Sequence, residues 1–346
     1  MISLQNDYSE GAHPQILKRL AEINLEQSPG YCTDTYCVSA AEKIRQACAC
    51  PEGEIFFLVG GTQTNQVVID TMLAPCEGVV AARTGHVSTH EAGAIEFTGH
   101  KVLELPQYEG KIRAADLQEL VSRFWQDGNR EHMVFPGMVY ISHPTEYGTL
   151  YSKQELKAIA QICREYKMPL YMDGARLAYG LTAPGTDVTL QDIARICDVF
   201  YIGGTKCGAF FGEAVVFTKH NMPIRFLTRV KQHGALLAKG HMLGIQFDTL
   251  FTNNLYYEIG AHAIRLAQLL HQGILDAGLP LYINSPTNQQ FVELPDTVIR
   301  KLEERDVVYS FWEKTSPAKT VIRFVTSWAT KEETVRELVT ILKEVM

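Results

Sequence analysis

The residue with the greatest reactive potential is Lys206, which lies in the segment 203–208 (Gly-Gly-Thr-Lys-Cys-Gly), directly after the apolar stretch 199–202. Its small neighbours leave room for a bulky group beside the amine. Desolvation or a nearby cation would lower the pKa of such a lysine and make it a nucleophile that can form a Schiff base. Taken alone, the segment is equally consistent with an exposed loop lysine.

Three other motifs occupy the same kind of position, at the end of a short apolar stretch. Residues 60–65 (Gly-Gly-Thr-Gln-Thr-Asn) follow the stretch 55–59 and open a predicted helix, where free backbone N–H groups could bind a phosphate. They form neither a P-loop nor a G-x-G-x-x-G motif. His86 and Asp173 each follow another apolar stretch. Each motif also has an ordinary interpretation, as a capped turn, a surface or core histidine and a helix cap.

The order of these motifs is more informative than any one of them. A glycine-threonine turn, a flat imidazole, a strand-end carboxylate and a strand-end lysine are what a pyridoxal ring requires. They would supply a phosphate site, a stacking face, a partner for the ring nitrogen and an amine for the aldehyde. The sequence therefore predicts a pyridoxal 5'-phosphate (PLP) site with Lys206 as the cofactor-bearing lysine. A nucleotide-binding or non-enzymatic α/β protein is the alternative from another class.

The elements around these motifs indicate how they are positioned. Short apolar stretches alternate with helical patterns, most clearly in the predicted helix 153–167 and the predicted strands 170–172 and 199–202. Such alternation predicts βαβ units and a mainly parallel sheet, in which ligands lie at the carboxyl ends of the strands.

The C-terminal part changes character. A long predicted helix at 254–273 precedes three predicted strands and a final helix at 331–345, which indicates a small α+β domain. We therefore expect an N-terminal arm (1–25), a PLP-binding large domain (26–245) and a small C-terminal domain (246–346).

Composition excludes several classes of protein. The 346 residues carry a formal net charge of −7 without a long basic run, so no nucleic-acid partner is expected. No apolar run approaches the ~20 residues of a membrane span, and the first residues do not resemble a secretion signal. The eight cysteines form no C-x-x-C pair, which favours reduced thiols in the cytoplasm and indicates no metal site.

These motifs resemble those of the low-specificity L-threonine aldolases, within the β-eliminating lyase group of PLP fold-type I enzymes, and the likeness extends from residue 2 to residue 345. The resemblance implies an aspartate-aminotransferase-like α/β fold and a homodimer or homotetramer. It also implies a PLP-dependent lyase that cleaves a β-hydroxy-α-amino acid, such as threonine or allo-threonine, to glycine and an aldehyde by a retro-aldol reaction.

The same resemblance implies roles for individual residues. Seven residues would bind the phosphate, the ring or the aldehyde of the cofactor: Gly61, Thr62, Gln63, His86, Asp173, Arg176 and Lys206. Substrate binding falls to four residues: Asn6, Tyr31, Arg176 and Arg323. Among these, Arg323 would grip the substrate carboxylate.

The substrate side departs from the family pattern more than the cofactor side does. Residues 6–8 read Asn-Asp-Tyr instead of Ser-Asp-Thr, and residues 144–146 read Pro-Thr-Glu instead of Asn-Thr-His. The family histidine lies near the substrate β-hydroxyl, so Glu146 is a candidate catalytic base, with His86 as the alternative. A purely structural Glu146 stays open. So does a different PLP-dependent reaction, β-elimination or racemisation of another small amino acid.

Overall fold

The computed structural model describes residues 1–345, which form thirteen β-strands and fourteen α-helices, with a short 3₁₀-helix at Arg130–His132. The strands are β1 (Ile2–Ser3), β2 (Glu54–Leu58), β3 (Glu77–Ala82), β4 (Val102–Leu105), β5 (Phe135–Ser142), β6 (Leu170–Asp173), β7 (Val199–Gly203), β8 (Glu213–Phe217), β9 (Leu281–Ile283), β10 (Gln289–Pro295), β11 (Val307–Val308), β12 (Ser310–Ser316) and β13 (Lys319–Val325). The helices are α1 (Pro14–Ile23), α2 (Thr35–Cys48), α3 (Gly61–Met72), α4 (His86–Thr89), α5 (Ala94–Phe97), α6 (Ala114–Gln126), α7 (Lys153–Glu165), α8 (Leu177–Thr182), α9 (Leu190–Ile196), α10 (Phe226–Gln232), α11 (His241–Leu250), α12 (Leu255–Asp276), α13 (Asp296–Glu304) and α14 (Glu332–Val345).

A seven-stranded sheet with the order β2-β8-β7-β6-β5-β3-β4 forms the centre of the large domain. Only β8 runs antiparallel to its neighbours β2 and β7, and the other pairs are parallel. Every residue of β6, β7 and β8 is buried, as expected for strands covered by helices on both faces. The predicted α/β class with a mainly parallel sheet is confirmed.

Local sequence signals fix where the crossover helices begin. At the start of α7 the Ser152 side chain accepts a hydrogen bond from the backbone N–H of Glu155, and the Glu155 side chain accepts one from Ser152. Such a capping box satisfies N–H groups that have no partner within the helix. Leu156, Ile159 and Cys163 of α7 are buried, in agreement with their helical spacing. This helix leads directly into β6, whose last residue is Asp173.

The C-terminal part contains a four-stranded antiparallel sheet with the order β12-β13-β10-β9. Its core includes Phe324 of β13, Leu338 of α14, and Leu266 and Leu270 of α12. The N-terminus joins this part, because β1 pairs with β11 in parallel.

Residues around the predicted domain boundary belong to the large-domain core. Leu243 of α11 and Tyr256 and Ile259 of α12 lie in the core that covers the large sheet, whereas the second half of α12 packs into the small core. We therefore propose that the boundary lies within α12, C-terminal to residue 246. Within the predicted arm 1–25, β1 pairs with β11 and α1 packs against α11.

Two further observations concern the expected environment of the chain. Within residues 1–345 there is no helix with the combined length and apolar character that crossing a membrane requires. All eight cysteines are free thiols.

Candidate active site

A cavity of about 850 Å³ lies where the carboxyl ends of the parallel strands face the small domain. It brings together eight of the residues that the sequence marked for chemistry: Gly61, Thr62, His86, Glu146, Asp173, Arg176, Lys206 and Arg323. These residues come from both domains and from segments far apart in the chain. Their convergence follows from the parallel sheet, whose strand ends meet at one edge.

Asp173, at the end of β6, is a buried carboxylate with four hydrogen-bond donors. Its Oδ1 accepts from the Tyr201 hydroxyl at 2.6 Å and from the Ala175 N–H at 3.0 Å. Its Oδ2 accepts from the Tyr140 hydroxyl at 2.7 Å and from Nδ2 of Asn65 at 3.0 Å. Burial opposes ionisation, yet His86 and the side-chain donors outweigh it and hold the pKa of Asp173 below its ordinary value. The carboxylate is therefore ionised at neutral pH.

Lys206 follows β7, and its amine lies in the interior where the cavity reaches it. The Tyr179 hydroxyl donates a hydrogen bond of 2.5 Å to the Lys206 carbonyl and anchors the backbone. No carboxylate of residues 1–345 lies within ion-pair distance of Nζ. Burial, and then the charge of Arg176, lower the pKa of Lys206. A larger fraction of the amine is therefore in the neutral, nucleophilic form than for an exposed lysine.

The turn after β2 presents the N-terminus of α3 to the same cavity. Gly60 is the N-cap without a side-chain cap, so the first N–H groups of the helix have no side-chain acceptor there. A Cβ at position 61 would lie 3.2 Å from the Tyr201 hydroxyl, which is tight and favours glycine. Thr62 lines the cavity beside Gly61. Free N–H groups at the positive end of a twelve-residue helix can bind a phosphate.

His86 and Glu146 also line the cavity and are joined by a hydrogen bond. The Glu91 carboxylate fixes the imidazole, with 2.8 Å between His86 Nδ1 and Glu91 Oε1. Oε1 of Glu146 accepts hydrogen bonds from the His86 N–H at 2.9 Å and the Ser142 hydroxyl at 2.5 Å. Burial is the largest influence and raises the pKa of Glu146, although the Ser142 hydrogen bond opposes it.

His143, three residues before Glu146, does not line the cavity. It is fully buried, and its Nδ1 accepts a hydrogen bond of 3.4 Å from the Tyr151 N–H. Burial lowers the pKa of His143 to about 4. The titratable side chain that the turn 144–146 brings to the cavity is therefore Glu146.

Arg176 and Arg323 have different surroundings. Arg176 forms a two-bond ion pair with Asp7, with 2.7 Å from Nε to Oδ2 and 3.1 Å from Nη2 to Oδ1. Arg323, on β13, donates from Nη1 to Oε1 of Gln289 at 2.8 Å and lies 5.2 Å from the centre of the Trp312 ring. No carboxylate of the described residues pairs with Arg323. Burial, and then Arg176, lower the pKa of Arg323 to about 10.

Three residues of the predicted set do not line the cavity. The Gln63 side chain turns back and accepts a hydrogen bond of 3.2 Å from the Val59 N–H. The Asn6 side chain caps its own turn by accepting the Tyr8 N–H at 2.9 Å. Tyr31 is 45% exposed and has Lys231 Nζ 5.0 Å above its ring. Their predicted contacts with cofactor or substrate stay predictions.

The structure adds residues that the sequence reasoning did not assign. They hold the site residues in place and are Asp7, Asn65, Glu91, Tyr140, Tyr201 and Glu213. Asn65 and Tyr201 lie in the segments quoted above, so the polar end of motif 60–65 and the tyrosine hydroxyl within stretch 199–202 are the available signals. Asp7 keeps the aspartate of the Ser-Asp-Thr pattern, but no local signal indicates its pairing with Arg176, which lies 169 residues away.

The residues fit a pyridoxal phosphate. One cavity contains an ionised carboxylate, a lysine with a lowered pKa, an imidazole fixed through its Nδ1, and a helix N-terminus that begins with glycine. The buried Thr84 hydroxyl, also in the cavity lining, has no hydrogen-bond partner among the described residues. A polar group at that position would satisfy it.

Comparison with known proteins places the chain in a family. Residues 5–332 match the family model described as beta-eliminating lyase. The low-specificity L-threonine aldolases of Pseudomonas aeruginosa and a second Pseudomonas strain are 30% and 31% identical over 99% of this chain and 97% of each relative. A threonine aldolase structure from Leishmania major has 43% identity and a TM-score of 0.96, with full coverage of both chains.

A more distant structure shows the fold alone. A variant of the Thermus thermophilus aspartate aminotransferase has 17% identity and a TM-score of 0.72, with 100% of this chain and 92% of that chain covered. The architecture is therefore the aspartate-aminotransferase-like fold type I that the resemblance implied. With that fold, and with a family match over most of its length, the chain belongs to the β-eliminating lyase family.

Proposed function

We propose that this chain is a PLP-dependent aldehyde-lyase that cleaves threonine or allo-threonine to glycine and acetaldehyde by a retro-aldol reaction. The observation that carries the proposal is the convergence of Lys206, Asp173 and Glu146 on one cavity. These three residues supply a nucleophilic amine, an anion for a ring nitrogen and a carboxylate that can accept a proton. The names of the relatives in both comparisons support the same activity.

Seven residues would hold the cofactor. Lys206 would hold the aldehyde carbon, Asp173 the protonated ring nitrogen, and His86 one face of the ring. The helix N-terminus at Gly61, Thr62 and Gln63 would bind the phosphate through backbone N–H groups, since the Gln63 side chain is occupied by Val59. Arg176, whose charge is balanced by Asp7, would contact the ring oxygen. When bound, the cofactor supplies an electron sink for negative charge at the substrate Cα.

Glu146 is the residue we propose for removal of the β-hydroxyl proton. Its Oε1 already accepts two hydrogen bonds, from His86 and Ser142, which leaves Oε2 for the substrate. A raised pKa makes a carboxylate a stronger base and brings it closer to the operating pH. His86 is less suited, because Glu91 fixes its Nδ1 and the ring face is needed for stacking.

Arg323 is the residue we propose for the substrate carboxylate. Unlike Arg176, it has no carboxylate partner among the described residues, so an anionic ligand would complete its surroundings. Gln289 and Trp312 hold the guanidinium in place. A planar guanidinium suits two parallel hydrogen bonds to a carboxylate.

We further propose that the protein is a homodimer or homotetramer. Tyr31 is exposed and outside the cavity of its own chain, so its predicted contact with substrate requires a neighbouring subunit. Asn6, beside the cavity-lining Tyr8, would reach substrate only after its own turn rearranges. The eight free thiols favour a cytoplasmic location.

The activity is tested by incubating the purified protein with each threonine diastereomer and measuring glycine and acetaldehyde. Lys206→Ala is expected to abolish both products and the visible absorbance of the lysine-bound cofactor. Release of ammonia and 2-oxobutanoate in place of glycine would indicate β-elimination. A protein that yields no glycine from either diastereomer, or that binds no PLP, would overturn the proposal.

A further inference from the structure

Glu213 is a buried carboxyl group for which the proposed reaction has no use. It is the first residue of β8 and pairs in register with Leu58 of β2 on one side and with Gly203 of β7 on the other. Leu58 leads into the phosphate turn at Gly61, and Gly203 leads into Lys206. Glu213 therefore lies between the two strand ends that bring the phosphate site and the cofactor lysine together.

The carboxyl group of Glu213 faces the cavity from this position. The residue is 3% exposed, yet it lines the cavity together with Gly61, Thr62 and Lys206. Its Oε1 accepts the Thr205 hydroxyl at 2.8 Å, and its Oε2 accepts the Gly204 N–H at 3.1 Å. Each oxygen has one protein donor, so each retains capacity for a further hydrogen bond on the cavity side.

The charge at this end of the cavity sets the protonation state. A phosphate monoester carries close to two negative charges at neutral pH. Residues 58–64 of the turn contain no Lys, Arg or His to offset an additional carboxylate. An ionised Glu213 would repel the phosphate, whereas a neutral carboxyl group would donate a hydrogen bond to it.

On this basis, and resting on the proposed PLP function, we propose that Glu213 binds the cofactor phosphate as a neutral carboxylic acid and weakens its binding when it ionises.

The titration of Glu213 gives the pH range in which this would be seen. Burial raises the pKa of Glu213 to about 8, although the Thr205 hydrogen bond, the Lys206 charge and the Gly204 N–H oppose the shift. With the neutral form as the binding form, a pKa of about 8 predicts that phosphate affinity falls about tenfold from pH 7 to pH 9. The affinity is full below the pKa and is lost as the pH rises through it.

The other groups facing Glu213 do not account for such a loss. Asp173 has a lowered pKa and stays ionised, and burial raises the pKa of Tyr171, Tyr201 and Tyr256 well above the ordinary value of 10. Burial also raises the pKa of Cys207 to about 12.

Leu58 and Thr62, presented by β2 and α3, do not titrate. Lys206 does titrate, so the probe must not react with it.

The probe is 4-deoxypyridoxine 5-phosphate, which keeps the ring and phosphate of PLP but has a methyl group in place of the aldehyde. Its dissociation constant for the protein freed of cofactor is measured at pH 7 and pH 9 by quenching of tryptophan fluorescence, since Trp312 lines the cavity. Unphosphorylated 4-deoxypyridoxine is titrated in parallel. The variants are Glu213→Gln and, as a matched control, the exposed Glu165→Gln.

We expect the phosphorylated probe to bind wild type and Glu165→Gln about tenfold more weakly at pH 9 than at pH 7. Glu213→Gln should bind it within twofold at both values, because an amide still donates a hydrogen bond but does not ionise. The unphosphorylated probe should show no corresponding loss. If Glu213→Gln does not fold, the comparison of the two probes on wild type still decides the matter.

The inference on Glu213 is wrong if the wild-type affinity does not fall, or if Glu213→Gln or the unphosphorylated probe shows the same fall. In those cases the proposed PLP function stands, because the probe has bound. If the phosphorylated probe binds at neither pH, the proposed cofactor is wrong and the inference fails with it.

Discussion

Replacing Glu146 by glutamine tests the proposed base with little change to the surrounding structure. The amide oxygen of glutamine can accept the hydrogen bonds that Oε1 of Glu146 now accepts from the His86 N–H and the Ser142 hydroxyl. The variant therefore keeps the turn 144–146 in place but cannot take up a proton. We expect unchanged folding and cofactor content, and loss of threonine cleavage.

The expected loss follows from the kind of contact removed. A positioned general base contributes typically ~10²–10⁴-fold to a rate. This corresponds to about 3–5 kcal/mol of transition-state stabilisation. No other residue of the segment 143–146 can replace Glu146 as the proton acceptor, because His143 is buried with a pKa of about 4 and lies outside the cavity. We expect kcat to fall by at least ~10²-fold with a small change in KM.

The pH profile separates a base from a structural residue. A base acts in its ionised form, so kcat/KM of the wild type should fall as the pH drops through the raised pKa of Glu146. Ser142→Ala removes a hydrogen bond that lowers this pKa, and the acidic limb should move to higher pH. Glu146→Gln should lose the limb altogether.

The assay follows acetaldehyde by coupled reduction with alcohol dehydrogenase, from pH 5 to pH 9, with bound PLP quantified for each variant. Glu165→Gln, which changes an exposed glutamate in the same way, is the matched control. Activity of Glu146→Gln within threefold of wild type would refute the reasoning, as would an acidic limb that persists unchanged in it.

Two other substitutions test the arginines of the site. Asp7→Asn breaks a buried ion pair with Arg176 and should cost ~3–5 kcal/mol in the free energy of unfolding by urea; a loss under ~1 kcal/mol would contradict this. The effect of burial is outweighed by the charge of Arg176, and the pKa of Asp7 is lowered. The difference in free energy of unfolding between wild type and Asp7→Asn should therefore be present above about pH 4 and disappear as the pH falls further. Arg323→Gln removes a charged hydrogen-bond donor worth ~1.5–3 kcal/mol, so KM for threonine should rise about tenfold to a hundredfold while PLP affinity stays constant. Equal weakening of PLP would place Arg323 at the cofactor instead.

The convergence of Asp173, Lys206 and the glycine turn on one cavity could be predicted from sequence because each of them directly follows a short apolar strand. Asp173 and Lys206 come after short, wholly apolar strands, and the parallel sheet then brings all strand ends to one edge. The glycine turn before α3 is equally local. No knowledge of distant contacts was needed to group them.

Other features depend on contacts that a local pattern does not encode. The pairing of Asp7 with Arg176 joins residues 169 positions apart. Strand β12 was not predicted because its sequence, Ser-Phe-Trp-Glu-Lys-Thr-Ser, is largely polar, as suits the edge of a sheet. The proposed domain boundary is a similar case, because the first half of α12 enters the large core and the second half the small core, and the sequence of the helix does not reveal which core each half enters.

The course of α12 through both cores has a mechanical consequence. A helix of 22 residues is a stiff rod about 33 Å long, and here it is embedded in the large domain at one end and the small domain at the other. The first residues of the chain tie the same two bodies a second time, through β1 on β11 and Asp7 on Arg176. Two such attachments resist rotation of one domain about the other. The two attachments would therefore fix the distance between Arg323 of the small sheet and Lys206 of the large one. That distance would set how far apart the carboxylate and the amine of a substrate can be.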